Sequence, residues 1–177
     1  MTHAGSADAG SMFFRLFDAW IGVLDFIELP ETIDAELSPA SGGGVPDDPR
    51  QLTGRLTAHA RLPGVGSAGI LVSDQAAELT RRLTVVGEQA QLIITAGGYR
   101  LTKSDGEVMD EHQAEREPTY LEQVAAQWRR LIDQRTAPPE HRAERERNAL
   151  ACCHACLLSA RTGQPESPGR VLELAGG

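Results

Sequence analysis

The chain has 177 residues, 41% of them hydrophobic, and a formal net charge of −8. That length suits one domain, which can bury roughly two thirds of its unfolded surface without cross-links. Several classes are excluded at the outset. No apolar run approaches the roughly 18 residues of a membrane span, and the sixteen arginines and single Lys103 are scattered, which leaves no basic footprint for nucleic acid. The three cysteines all fall within Cys152–Cys156, an odd and crowded set that cannot build a disulfide framework. A reducing, cytoplasmic setting is the default expectation. The opening MTHAGSADAG has no basic residue ahead of an apolar stretch, so residues 1–11 read as a loose tail rather than a secretory signal.

Phe13, Phe17, Trp20, Leu24 and Ile27 recur at helical spacing, and Pro30 stops that helix. Glu31–Leu37 alternates as a strand, and the Gly, Pro and Ser of residues 38–50 mark a mobile loop. In Arg55–Leu62 the residues Leu56, Ala58, Ala60 and Leu62 share one face, while Arg55, Thr57, His59 and Arg61 share the other. This is a strand with one wet face, as in an antiparallel sheet. The runs GILVSD, RRLTVVG, QLIIT and YRLTK follow at short spacing with glycine turns between them, and SDG at Ser104–Gly106 closes the last strand or opens a hairpin. Thr119 and Glu122 form a capping box for a helix whose buried stripe is Leu121, Val124, Trp128 and Leu131. A last helix starts near Pro138 and Pro139 and ends at Gly163. The expected fold is α+β: a two-layer, open-faced sandwich with a mostly antiparallel sheet of five to six strands and helices on one face. Ile70–Val72 and Leu92–Ile94 put apolar groups on both sides of their strands, so a homodimer through the open sheet face is expected.

Four groups invite a chemical reading. Gly64–Gly69 (GVGSAG) is formally a GxGxxG with Glu88 nineteen residues later, but the half-polar strand before it and Pro63 argue for a hairpin rather than a dinucleotide loop. Cys152, His154 and Cys156 offer sulfur and imidazole to a metal, yet Cys153 projects about 100° away from Cys152 and no further cysteine completes a shell. Core packing of the cysteines is the plainer expectation, and no metal is expected. Asp18 and Asp25 lie seven residues apart on one helix, roughly 10 Å, too far for direct cooperation. Ser159 has no histidine and acid placed by a recognisable motif.

Taken in chain order, LFDAWIGVLDFIELPETIDAEL (16–37), RRLTVVGEQAQLIIT (81–95), YRLTKSDG (99–106) and ALACCHACLLSARTG (149–163) resemble the C-terminal domain of the glucose-fructose oxidoreductase, inositol dehydrogenase and MocA family. The resemblance covers about residues 12–174 and lies in the combination more than in any one motif, so residues 12–177 are expected to form one such domain. It implies a substrate wall and, through the open sheet, a dimer interface, in a family that moves hydride between NAD or NADP and a sugar or cyclitol. The family's Rossmann half and its Glu-Lys-Pro lysine motif are not found in this sequence. Its catalytic histidine on the first helix of this domain falls at Asp18, or at Arg15 if the alignment slides by three, with Phe14 at the position of the preceding aspartate. The resemblance therefore implies a stand-alone domain without redox activity of its own. Its alternative is half of a split oxidoreductase, binding a sugar-like substrate and completed by a separate Rossmann chain that would bring the NAD or NADP.

Overall fold

A computed structural model describes residues 11–40, 42–64, 66–75, 82–95, 97–113 and 139–176, the side chains of 139–142 excepted. The chain divides into two compact units, Met1–Glu78 with Glu140–Gly177, and Leu79–Pro139. The helix expected from Thr119 lies outside the described residues.

The first unit is built on a three-stranded antiparallel sheet, β1 (Thr32–Ser38), β2 (Arg55–Arg61) and β3 (Ser67–Ser73), in the order β1-β2-β3. Strict alternation in β2 is realised in full, with Leu56, Ala58 and Ala60 buried and Arg55, Thr57, His59 and Arg61 exposed. The register carries that alternation across the sheet: Ala35 pairs with Ala58 and Ala58 with Ile70, while on the open face Asp34 pairs with His59 and His59 with Gly69. Helix α1 (Met12–Val23), capped by Ser11, buries Met12, Leu16 and Trp20 at four-residue spacing. Its helical geometry ends at Val23, and the residues to Ile27 that the periodicity had included form a turn closed by Phe26 and Ile27 N–H bonds to the Val23 carbonyl.

Helix α2 (Pro139–Thr162) supplies the other half of the cover. From Ala149 onward only Leu150, His154 and Leu158 are exposed before the last turn, so the buried arc is wide and made of small groups, Ala, Cys and Ser. Small side chains let α2 join α1 and the inner sheet face in one cluster, where Trp20, Leu16, Ile33 and Leu56 meet Cys152, Cys153 and Cys156. Burying a side chain of leucine size contributes about 1.5–3 kcal/mol. Gly163, at φ 67°, ends α2 in the left-handed region where glycine carries no penalty.

The free edge of β1 is closed by the chain after α2. Ile33 exchanges two backbone hydrogen bonds of 2.8 Å with Glu166, and the Ala35 N–H donates to Ser159 Oγ at 2.9 Å. A short helix α3 (Pro168–Ala175), which carries no signal strong enough to be read from the sequence, follows directly.

The second unit contains a four-stranded antiparallel meander, β4 (Arg82–Val86), β5 (Ala90–Thr95), β6 (Gly98–Lys103) and β7 (Val108–Gln113). Leu83, Val85, Leu92, Ile94, Tyr99 and Leu101 share one face by register. Gly98, at φ 146°, has no alternative residue, because a Cβ there would stand 1.9 Å from the His112 carbonyl oxygen. The SDG segment opens a hairpin, and the strand after it, β7, is wholly exposed and paired across by Arg100–Glu111 at 3.0 Å and Tyr99–Asp110 at 2.8 Å.

The α+β class and antiparallel pairing stand, but a single sheet of five to six strands does not: the described strands form separate sheets of three and four. The end of β3 is held within its own unit: the Ser73 carbonyl accepts from Arg15 at 2.6 Å, and Ser73 and Asp74 bond back to Gly54.

Candidate functional site

The outer face of α1 is where catalysis would be sought. Leu16 and Trp20 point inward, which turns Phe14 and Asp18 outward, and Asp25 lies in the turn after the helix. Phe14 is 62% exposed, Asp18 is half-buried, and Asp25 makes an ion pair with Arg145 of α2. No histidine lies on this face of α1. An imidazole on α2 packs beside α1: His154 meets the Phe13 ring edge-on, with centroids 6.4 Å apart. Asp25 opposite Arg145 and Phe13 opposite His154 show the two helices side by side and antiparallel.

A cleft of about 230 Å³ opens where α1 exits and α2 begins, lined by Leu24, Ile27, Glu28, Leu29, Glu144, Arg145 and Asn148. Neither Asp18 nor any cysteine reaches it. Asp18 and Asp25, expected seven residues apart on one helix, do not share it: Asp18 lies on α1, and Asp25 lies after its end at Val23 and is bound to Arg145.

The cysteine segment is split by the helix. Cys152, Cys153 and Cys156 are fully buried, while His154 faces solvent, so sulfur and imidazole diverge. Among the described residues no group of three or more His, Cys, Asp or Glu side chains is placed to hold a metal ion. Burial pushes the Cys152 and Cys153 thiols far above their ordinary value and Cys156 up to about 12, the Trp20 indole N–H beside it offsetting part of the rise. A neutral, buried thiol is a poor nucleophile and a poor ligand. The indole N–H itself makes no full hydrogen bond. Ser159, also fully buried, spends its hydroxyl on the β1 edge, which answers the question of a nucleophile there.

The glycine segment 64–69 is a hairpin. The Leu62 N–H donates to the Gly66 carbonyl and Ser67–Gly69 begin β3, antiparallel to β2. A dinucleotide loop needs a strand-to-helix turn whose N–H groups converge on a pyrophosphate, so these residues do not fit that cofactor.

The open face of the three-stranded sheet is the other candidate surface. Its exposed positions are Asp34, Glu36 and Ser38 on β1, Arg55, Thr57, His59 and Arg61 on β2, and Ser67, Gly69 and Leu71 on β3. Leu71 is the apolar exception at 67% exposure; Ile70 and Val72 on either side of it are buried in the core. The triplet Ile70–Val72 thus does reach both faces, but the open face is polar and charged rather than apolar.

No family model and no curated protein sequence matches the chain. Solved structures do. A Klebsiella pneumoniae protein assigned as an oxidoreductase superposes with a TM-score of 0.57 at 14% identity, over 96% of this chain and 54% of its own. The aldose-aldose oxidoreductase of Caulobacter crescentus, solved with glycerol, gives 0.54 at 17% identity over 88% of this chain and 45% of its own. A Thermotoga maritima protein assigned as an oxidoreductase gives 0.54 at 16% identity over 89% and 47%. At such identities the likeness is one of fold. The chain spans about half the length of each of these structures. Among the described residues no helix is long and apolar enough to cross a membrane.

Proposed function

We propose that this chain serves as the substrate-wall and dimerisation domain of an oxidoreductase of the glucose-fructose oxidoreductase, inositol dehydrogenase and MocA type, and that it transfers no hydride alone. The observation that carries the reading is the extent of the fold match: nearly all of this chain superposes on only about half of each oxidoreductase. Two features of the site support it. The outer face of α1, where such enzymes keep an imidazole, carries Phe14 and Asp18. The glycine segment that could imitate a nucleotide loop is an antiparallel hairpin.

Titration of the purified chain with NADH and NADPH, followed by nicotinamide fluorescence, tests this directly. No saturation is expected; micromolar binding by this chain alone would overturn the reading. A split enzyme is the second reading, favoured by the exposed apolar side chains Phe14, Leu150 and Leu158 on the helical layer. Under it, adding a separate Rossmann chain creates NADH binding and sugar-dependent turnover that neither chain has alone.

A further inference from the structure

The cleft between the exit of α1 and the first turns of α2 takes no part in the function proposed above, and its lining is of two kinds. Leu24, Ile27 and Leu29 give it an apolar wall, while Glu28, Glu144, Arg145 and Asn148 give it polar groups. Arg145 is committed to Asp25, so its charge is balanced within the protein. Glu28 and Glu144 are exposed, and among the described residues neither side chain makes a hydrogen bond or an ion pair. The lining therefore keeps two carboxylates without a counter-charge.

Helix polarity favours a guest of the same sign. The cleft adjoins the C-terminus of α1, the negative pole of the helix dipole, and α1 carries no basic residue in its last turn. The positive pole of α2 lies at Pro139, five residues and about 7.5 Å along the axis before Glu144, beyond the single turn over which a helix dipole acts.

We infer that this cleft binds an alkylammonium group, with its methylene chain along Leu24, Ile27 and Leu29 and its ammonium on Glu28 and Glu144. Amphipathic cations lay an aliphatic stem on apolar surface and keep the charged head among polar groups, which is the division this lining presents. The cleft volume of about 230 Å³ limits the guest. It falls below the roughly 300–1,000 Å³ of pockets that enclose drug-sized ligands, so a chain of about four carbons is the fit. Both carboxylates are exposed, which keeps each ion pair weak, and the dissociation constant is expected to be on the order of 1 mM. The same chemistry comes from two sources, a free aliphatic amine or the lysine side chain of a partner protein.

Amide chemical-shift titration of the isotope-labelled chain at low salt tests this, with n-butylammonium, n-butanol, ammonium and butyrate as probes. n-Butylammonium is expected to shift the amides of residues 24–29 and 144–148 saturably, about tenfold more tightly than n-butanol or ammonium alone, and butyrate is expected not to bind. Glu28→Gln/Glu144→Gln is expected to weaken n-butylammonium about tenfold and to leave n-butanol unchanged, whereas Glu36→Gln, at an exposed acid on the open sheet face, is expected to change neither. Unshifted amides elsewhere report that each variant is folded; if the double variant is not, the two single variants replace it. n-Butanol binding as tightly as n-butylammonium, a double variant that binds n-butylammonium as the native chain does, or shifts of equal size around Glu36 each overturn the inference. N-acetyl-lysine methylamide separates the sources: affinity equal to that of n-butylammonium assigns the guest to a protein side chain, and several-fold weaker affinity assigns it to a free amine. None of these outcomes bears on the nucleotide titration.

Discussion

The two sheets of this protein share one sequence device and differ in what it obtains. In β2 the alternation of apolar and polar residues drives Leu56, Ala58 and Ala60 to burial beneath α1 and α2. In β4 a similar alternation places Leu83 and Val85 on one face, opposite Ile94 and Leu92 of the apolar run in β5, yet none of the described residues of that unit is more than partly buried. Both sheets are antiparallel, the second with a register irregularity between Leu101 and Thr102. The difference teaches that alternation specifies a face, whereas stability comes from the large side chains another element brings against it.

That contrast can be broken by substitution, beginning at the point where α1, the sheet and α2 converge. Trp20→Ala removes a fully buried indole and is expected to cost about 3–5 kcal/mol in urea unfolding. A cost under 1 kcal/mol would mean that the core is not organised around α1. Leu56→Ala, at a fully buried position, is expected to cost about 2–5 kcal/mol, while Leu92→Ala, at a partly buried one, costs on the order of 1 kcal/mol. Equal losses would erase the distinction between the sheets.

The cysteines add a pH test. Their folded-state thiols ionise above the ordinary value of 9.0, because burial penalises the thiolate. A raised folded value means the contribution is fully present below about pH 9 and is lost as pH climbs through about 12, where Cys156 ionises. Thermal melts should therefore decline from pH 9 upward, and a thiol reagent at pH 8 should label the cysteines only after denaturant is added. Rapid labelling of the native chain would contradict their burial.

Smaller effects lie at the edges. Ser159→Ala deprives the Ala35 N–H of its acceptor and is expected to cost about 1–3 kcal/mol, with faster hydrogen exchange at Ala35 as the specific signature. Asp25→Asn, which breaks a half-exposed ion pair with Arg145, is expected to cost under about 1 kcal/mol and to cost less in high salt.

Much of the fold was legible because its signals are local. Strict alternation marked β2 to within one residue, Pro139 opened α2 and Gly163 named its end, whereas α1 stopped at Val23, short of Pro30. The open hairpin at Gly64–Gly69 followed from the half-polar strand before it. Other features depend on partners remote in sequence. β7, rich in charge, resembles a loop until β6 pairs with it, and α3 is too short for its pattern to stand out. Two sheets in place of one was not readable either, because the pattern within a strand fixes its faces and not which strand pairs with its edge.

The candidate site divides along the same line. CCHAC looked like a ligand set because its residues are close in sequence, and helix geometry separates them: three thiols go to the core and His154 to solvent. The sequence by itself determined the α+β class, the antiparallel pairing, and the absence of a histidine from the first helix, since these follow from residue type and spacing alone. Only the tertiary structure decided that Ser159 seals a strand edge, that Asp25 is taken by Arg145 and that Asp18 lies outside the cleft, and that the open sheet face is striped with charge. Each of those depends on which distant residues share a level or a face, and the strand register and helix packing that set them are properties of the folded chain.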